Sequence, residues 1–282
     1  MVTQRFFVLL SFAAVALASP ATTPPKFAIV HAGLHAGEDG PAVPKDYRFI
    51  PGETVYFAFQ VQGYTKSEEE KIDLAYEIQA TDPKLLLIVP PENGAVATSV
   101  SHEDKDWQPK VRWSFNVPPF ADSGDYKISV KLKDNLAGND ASDSLTFHVE
   151  GVPVEPSTKL VIRNFRFLRS EEDKDPLKVA AYRPGDTLWA RFEMTGYNVG
   201  PGNSFDVEYG LSILRADGSV AYTQPHAAGE KQATFYPQRY TPGAVSLNIP
   251  PDLKKGDYTM IITARDVIGE QTAEVKQNFS VE

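Results

Sequence analysis

The chain has 282 residues, 28 Lys and Arg against 37 Asp and Glu for a net charge of −9, with 22 prolines, 19 glycines and no cysteine. An acidic chain without a run of Lys and Arg is repelled by a phosphate backbone, which argues against nucleic acid as a partner. The missing thiols exclude disulfides, thiolate metal sites and cysteine nucleophiles, so stability has to come from apolar cores, for which 42% hydrophobic residues suffice.

Arg5 is the only charge ahead of an apolar run from Phe6 to Ala18, and the run closes on Ala16-Leu17-Ala18. A charged start, a short apolar stretch and a small-x-small end mark a secretory signal peptide. Residues 1–18 are therefore expected to be cleaved after Ala18, giving a secreted or periplasmic protein. The run is shorter than the roughly 20 residues of a membrane span and no later segment comes closer, so no membrane span is expected. Ser19 follows the cut and offers no thiol for a lipid anchor.

The remainder repeats once. At an offset of 133, Pro51-Gly52-Glu53-Thr54 meets Pro184-Gly185-Asp186-Thr187, and Gly63-Tyr64 meets Gly196-Tyr197. After a one-residue deletion, Asn116-Val117-Pro118-Pro119 meets Asn248-Ile249-Pro250-Pro251, and Gly124-Asp125-Tyr126 meets Gly256-Asp257-Tyr258. The expected division is a first domain over 19–149, a Pro-rich linker over 150–158 that is semi-rigid, and a second domain over 159–282.

Within each copy the apolar period is two. Val55, Phe57, Phe59 and Val61 alternate with Thr54, Tyr56, Ala58 and Gln60, and the partner segment reads Leu188, Ala190, Phe192, Met194. Leu74, Tyr76 and Ile78 correspond to Val207, Tyr209 and Leu211; Trp113, Phe115 and Val117 to Val245, Leu247 and Ile249; Tyr126, Ile128, Val130 and Leu132 to Tyr258, Met260, Ile262 and Ala264. About seven such strands per copy, punctuated by Gly, Pro, Asn and Asp, predict an all-β chain of two antiparallel β-sandwiches. No helical period longer than two turns is present, and Ser67 to Lys71 reads as a short turn.

Asp122-Ser123-Gly124-Asp125-Tyr126-Lys127-Ile128 resembles the D-x-G-x-Y-x-C segment of immunoglobulin-like domains, with Ile128 in the place of the cysteine. Lys254-Lys255-Gly256-Asp257-Tyr258 keeps the Gly and Tyr in the second copy. The resemblance implies two tandem immunoglobulin-like sandwiches of the kind found in bacterial envelope proteins. It also implies a tyrosine corner, in which the Tyr126 phenol bonds back to the backbone before the penultimate strand. Such modules space, dock or adhere, and imply no particular reaction.

Motifs of catalysis are not found: neither a nucleophile elbow, a phosphate loop, a dinucleotide fingerprint nor a zinc-protease helix is written in the chain. The expectation is a protein that is not an enzyme, needs no cofactor and binds no metal. His31 and His35 with Glu38 and Asp39 have metal-ligand chemistry, but the segment leaves a strand into Gly33, Gly37 and Gly40 and reads as a loop. Asp134, Asn135, Asn139, Asp140 and Asp143 have the oxygens calcium needs. Asp134 and Asp266 nevertheless share a repeat position after a strand, where Asx side chains cap turns.

Phe235-Tyr236-Pro237-Gln238-Arg239-Tyr240 is dense in aromatics, whereas copy one has only Trp107 nearby. Phe235, Tyr236, Arg239 and Tyr240 are thus the interaction candidates, by the composition of binding hot spots, although a connection folded onto the sandwich edge or the other domain explains them at least as well. Arg163, Arg166 and Arg169, interleaved with Phe165, Phe167 and Leu168, suggest a charge-protected edge strand or a docking strip. The acidic runs Glu68-Glu69-Glu70 and Glu171-Glu172-Asp173 read as solvated loops. The leading expectation is a non-catalytic exported interaction or spacer module that docks a protein partner at the cell envelope. A carbohydrate-binding module using the aromatics of domain 2, taking a polysaccharide, is the alternative. A periplasmic metal-binding protein is the third.

Overall fold

The computed structural model describes residues 25–104, 106–151 and 153–282. The expected signal peptide and its cleavage point lie outside the described residues. Among the described residues, sixteen strands, eight in each half, form four sheets. In the first half these are β1 (Ala28–His35), β2 (Arg48–Phe49), β3 (Thr54–Gln62), β4 (Lys71–Thr81), β5 (Glu92–Ser99), β6 (Lys110–Asn116), β7 (Gly124–Asp134) and β8 (Asn139–Val149). The second half repeats them as β9 (Val161–Leu168), β10 (Ala181–Tyr182), β11 (Thr187–Thr195), β12 (Ser204–Arg215), β13 (Val220–Ala233), β14 (Tyr240–Asn248), β15 (Gly256–Asp266) and β16 (Gln271–Val281).

Each half packs a three-stranded sheet, β1-β3-β6 or β9-β11-β14, on a five-stranded one, β2-β8-β7-β4-β5 or β10-β16-β15-β12-β13. The strand orders are the same under the repeat, so both halves are immunoglobulin-like sandwiches. The count is eight strands rather than about seven, because β2 and β10 have two residues each, too few for alternation to register. Each lies parallel to the last strand of its half, Phe49 beside Val149 and Tyr182 beside Val281. Strands β5 and β13 carry almost no buried residues, since they are the edges of the five-stranded sheets and cover little.

Alternation in sequence becomes burial in space. Val55, Phe59, Val61, Leu74, Ile78, Tyr126 and Ile128 are wholly enclosed in the first core, and Leu188, Ala190, Met194, Val207, Met260 and Ile262 in the second. The turns repeat as faithfully as the cores. The amides of Gly52 and Gly185 both donate to a carbonyl just past the sixth strand of their half, Val117 and Ile249. The hydroxyls of Thr54 and Thr187 reach Asn116 and Asn248 at 2.8 and 2.9 Å. Gly63 and Gly196 both have positive φ, 68° and 79°, and a Cβ on either would collide with the backbone before the half's first strand. Ser67 to Lys71 is a turn closed by the Glu70 amide on Ser67, and the described helices are two single 3₁₀ turns, His102–Asp104 and Pro201–Asn203.

Candidate functional site

The tyrosine corners are formed in both halves. Tyr126 donates to the Asp122 carbonyl at 2.9 Å, and Tyr258 to the Lys254 carbonyl at 2.6 Å. Around Tyr126 the structure adds something that the repeat does not carry. The β13–β14 connection of the second sandwich reaches across and places Tyr236 in the core of the first. Its phenol donates to Asp82 Oδ2 at 2.9 Å, while Asp82 Oδ1 accepts the amides of Lys84 and Leu86, both at 2.8 Å. Asp82 is buried, and its carboxylate is supplied with three donors, as a carboxylate taken out of water requires.

Arg239 and Tyr240 complete the junction. Arg239 Nη1 donates to Asp122 Oδ2 at 3.3 Å, an oxygen shared with Lys84 at 3.2 Å. Tyr240 meets Phe120 edge to face at 4.8 Å between ring centroids. Gln238 is buried and bonds Thr241 at 3.2 Å, and its carbonyl accepts the Tyr197 phenol at 3.1 Å, so the connection is tied to its own sandwich as well. Burial drives the Tyr126 phenol up to about 12 despite the hydrogen bond from the Tyr236 side, and Tyr197 likewise to about 12. Burial, repulsion from the neighbouring Tyr126 phenol when it ionises, and the hydrogen bond to Asp82 push Tyr236 up further still.

Of the four interaction candidates, Tyr236 and Tyr240 are each only 7% exposed and face the first sandwich, Arg239 is paired across the junction, and Phe235 alone is open, at 49%. Phe235 borders a groove of about 490 Å³ between the connection and Pro118-Pro119-Phe120. The partner residues Asp82 and Phe120 were not singled out from sequence. No repeated motif marks them, since their repeat counterparts are Arg215 and Asp252.

The other candidate clusters resolve into devices of the fold. Strand β1 does not end before Gly33 but continues through a bulge to His35, with His31 at φ 52°. Asn164, the repeat partner of His31, has φ 51° at the matching bulge of β9. Both side chains reach the same position of the next strand: His31 Nδ1 lies 2.7 Å from Gln60 Oε1, and Asn164 donates to Glu193 at 2.7 Å. His and Asn are among the few residues that tolerate left-handed backbone, which accounts for both. His35 points elsewhere, to the Gly40 carbonyl at 3.1 Å, and Asp39 is held by Lys110 and Arg112. The hydrogen bonds from Arg112 and Lys110 keep the Asp39 carboxyl below its ordinary range. No group of three His, Asp or Glu side chains with metal-site geometry occurs among the described residues.

Asp134 and Asp266 are buried caps. Asp134 accepts the amides of Thr65 at 2.7 Å, Leu136 at 3.0 Å and Ala137 at 3.2 Å; Asp266 accepts those of Asn198 at 2.8 Å and Gly269 at 2.9 Å. Each turns both carboxylate oxygens to backbone amides, and each pins the loop after Gly63 or Gly196. Strand β9, with Arg163 and Arg166, is an edge of its sheet, and Arg163 pairs with Glu155. His148 stands outward beside Asp125 at 2.9 Å, and His226 beside Glu208 at 3.2 Å.

No protein-family model matches this sequence, and no curated protein matches it. Among solved structures the chain is similar to the C-terminal domain of the Streptococcus pyogenes antigen I/II-family protein AspA, with 11% identity and a TM-score of 0.34 over 92% of this chain and 100% of that one. The C-terminal domain of the Streptococcus agalactiae AgI/II polypeptide BspA gives 13% identity and a TM-score of 0.32, covering 91% and 99%. Red sea bream transglutaminase gives 11% and 0.27, covering 93% of this chain and 32% of that one. At these values the likeness carries no argument, and the fold is read from the chain's own architecture of two immunoglobulin-like sandwiches.

Proposed function

We propose that the protein is a non-catalytic exported module in which two immunoglobulin-like sandwiches are fixed end to end, serving as a spacer or docking element at the cell envelope. The observation that carries this reading is the insertion of Tyr236 into the first core. A linker alone would leave two sandwiches free to swing, whereas a buried phenol on Asp82, an ion pair at Asp122 and an edge-to-face ring pair hold one relative orientation. A defined orientation suits a part that presents surfaces at set positions. With Tyr236 and Tyr240 turned inward, the aromatic segment offers no flat platform for a pyranose ring, which favours docking over carbohydrate binding.

The test has two arms. Small-angle scattering of the mature chain is expected to fit one fixed arrangement of the sandwiches, and of a Tyr236→Ala variant to require a spread of them; equal flexibility in both would overturn the spacer reading. Affinity purification of the tagged mature chain from its native envelope fraction is expected to retain one stoichiometric protein after a salt wash. Recovery of the bare chain would overturn the docking reading.

A further inference from the structure

Each sheet ends in strands with one side unpaired, and among the described residues all but one of these edges carry a guard against pairing with another chain. Strand β13 has Pro225 and two breaks of register, and β14 has Pro242. Strands β1 and β9 are bulged, β6 carries Lys110 and Arg112, and β2 and β10 are two residues long. Beyond those short partners, β8 carries Asp140 and Asp143, and β16 carries Glu274 and Lys276. Strand β5 has none of these devices. Its register with β4 is unbroken from Ser99 opposite Lys71 to Glu92 opposite Ile78, it contains no Pro, Lys or Arg, and its one charge is at its first residue.

The main chain of β5 is open along this edge. The Val100 amide donates to the Glu70 carbonyl at 2.7 Å, which fixes the phase of the ladder with β4. By the alternation of an antiparallel pair, Glu92, Gly94, Val96 and Thr98 bond to β4, whereas Asn93, Ala95, Ala97 and Ser99 turn their amides and carbonyls to the edge. These four residues are exposed. One side chain reaches the same edge from behind. Tyr76 of β4 lies half-buried against Phe59 on the core side and extends across β5, so that a Cβ on Gly94 would stand 2.2 Å from its phenol oxygen. Burial and the charge of Glu92 raise that phenol above its ordinary range, and among the described residues it has no hydrogen-bond partner.

We propose that two copies of this chain form a two-fold dimer through β5, the edge strands pairing antiparallel so that the two five-stranded sheets of the first sandwiches become one continuous sheet. One register uses every open group. With the Val96 residues of the two copies opposite each other on the axis, Asn93 meets Ser99 of the second copy and Ala95 meets its Ala97, and the strands exchange about eight hydrogen bonds. A slip of two residues either way leaves a residue of each strand unmatched. The same register sets Thr98 of the second copy directly opposite Gly94, beside the Tyr76 phenol, where its hydroxyl supplies the partner that the phenol lacks. Symmetry repeats this contact. Leu74 and Val96 of both copies then make one apolar row on the core side of the joint. Eight residues extend about 26 Å and a sandwich is roughly 20 Å deep, so about 1,000 Å² is covered over both copies, the lower limit of a stable interface. The contact is isologous and closes at two copies. It rests on β5 and Tyr76 alone, and stands whether or not an envelope partner exists.

Sedimentation velocity of the mature chain over rising concentration tests it. The expected result is a monomer–dimer equilibrium with no larger species. Ala95→Pro deletes an amide that faces the edge and none that faces β4, so the monomer is expected to keep its melting temperature while the dimer weakens about thirtyfold, two symmetry-related bonds being lost. Tyr76→Phe is expected to weaken the dimer about tenfold, again at an unchanged monomer melting temperature. Val96→Cys gives an independent readout. It sets two thiols across the axis at the roughly 4.5 Å Cα spacing of a non-hydrogen-bonded pair, within reach of a disulfide. With no native thiol to compete, oxidation is expected to yield a covalent dimer and nothing longer. A wild type that stays monomeric at all concentrations, a dimer indifferent to Ala95→Pro, or a Val96→Cys chain that remains monomeric on oxidation overturns the proposal.

Discussion

Tyr126 and Tyr258 make the same bond to a carbonyl four residues earlier, in the same turn of the same fold, yet they live in different surroundings. Tyr126 is wholly enclosed because the second sandwich delivers Tyr236 against it, and its phenol is pushed up to about 12 by that enclosure. Tyr258 closes its own sandwich with no such cover. The difference teaches that the repeated residues build the sandwich and the unrepeated ones join sandwiches together. Phe235 to Tyr240, Asp82 and Phe120 are the unrepeated residues that matter here.

The comparison breaks most visibly at Tyr236. Tyr236→Ala is expected to remove about 3 to 5 kcal/mol, the usual cost of emptying a large aromatic site, and all of it from the coupling of the two sandwiches. Scanning calorimetry is the check: one merged transition in the wild type, two separate ones in the variant. A single unaltered transition would mean that the linker, not the inserted phenol, couples them. Tyr236→Phe keeps the ring but leaves Asp82 Oδ2 without its donor, and is expected to cost about 2 kcal/mol.

The caps sharpen the other side of the comparison. Asp134→Ala and Asp266→Ala each strand buried amides, and each is expected to cost about 2 to 3 kcal/mol. Denaturant titration of the two variants should return similar values, because the repeat gives them the same work. Tyr126→Phe and Tyr258→Phe each lose one phenol-to-carbonyl bond, about 1 kcal/mol.

Alkali separates the buried phenols from the exposed ones. Tyr126, Tyr182 and Tyr197 are raised by burial from the ordinary 10 to about 12. A raised phenol favours the neutral form in the folded state, so its contribution is complete below about pH 10 and is lost as pH climbs from 10 towards 12. The denaturant midpoint is expected to hold steady up to about pH 10 and fall above it, with phenolate absorbance rising late and together with unfolding. The smallest effect belongs to His31→Asn, expected to stay within about 0.5 kcal/mol, since Asn164 already fills the matching bulge. His31→Val is expected to cost about 1 to 2 kcal/mol, because a β-branched side chain resists positive φ.

The sandwiches were legible because a strand with one buried face writes its geometry every second residue, as Val55 to Val61 and Leu188 to Met194 do. The tyrosine corners and the Asp134 and Asp266 caps were legible because each occurs twice, and a residue seen in both copies needs a reason common to both. The two-residue strands β2 and β10 were not, having too few positions for a period. The bulge in β1 was hidden because His31 looks like a ligand until Asn164 is set beside it. The junction was half visible: the aromatic density of Phe235 to Tyr240 announced burial or binding, but its receiving residues lie more than a hundred positions earlier, where Asp82-Pro83 reads as an ordinary turn. A contact between copies of a repeat leaves no periodic trace in either.

One feature of each sandwich bears on how the molecule behaves under load. The short strands β2 and β10 run parallel to β8 and β16, at the points where the chain leaves each half. Tension drawn between the two ends of the chain loads β1 on β3 and β9 on β11 first, and then pulls β2 against β8, and β10 against β16, along their lengths. Bonds crossing such a pair are sheared together rather than peeled apart singly, so each sandwich meets a stretching force with a small clamp at its exit. Two clamps in series make the molecule as resistant to extension as the weaker of them.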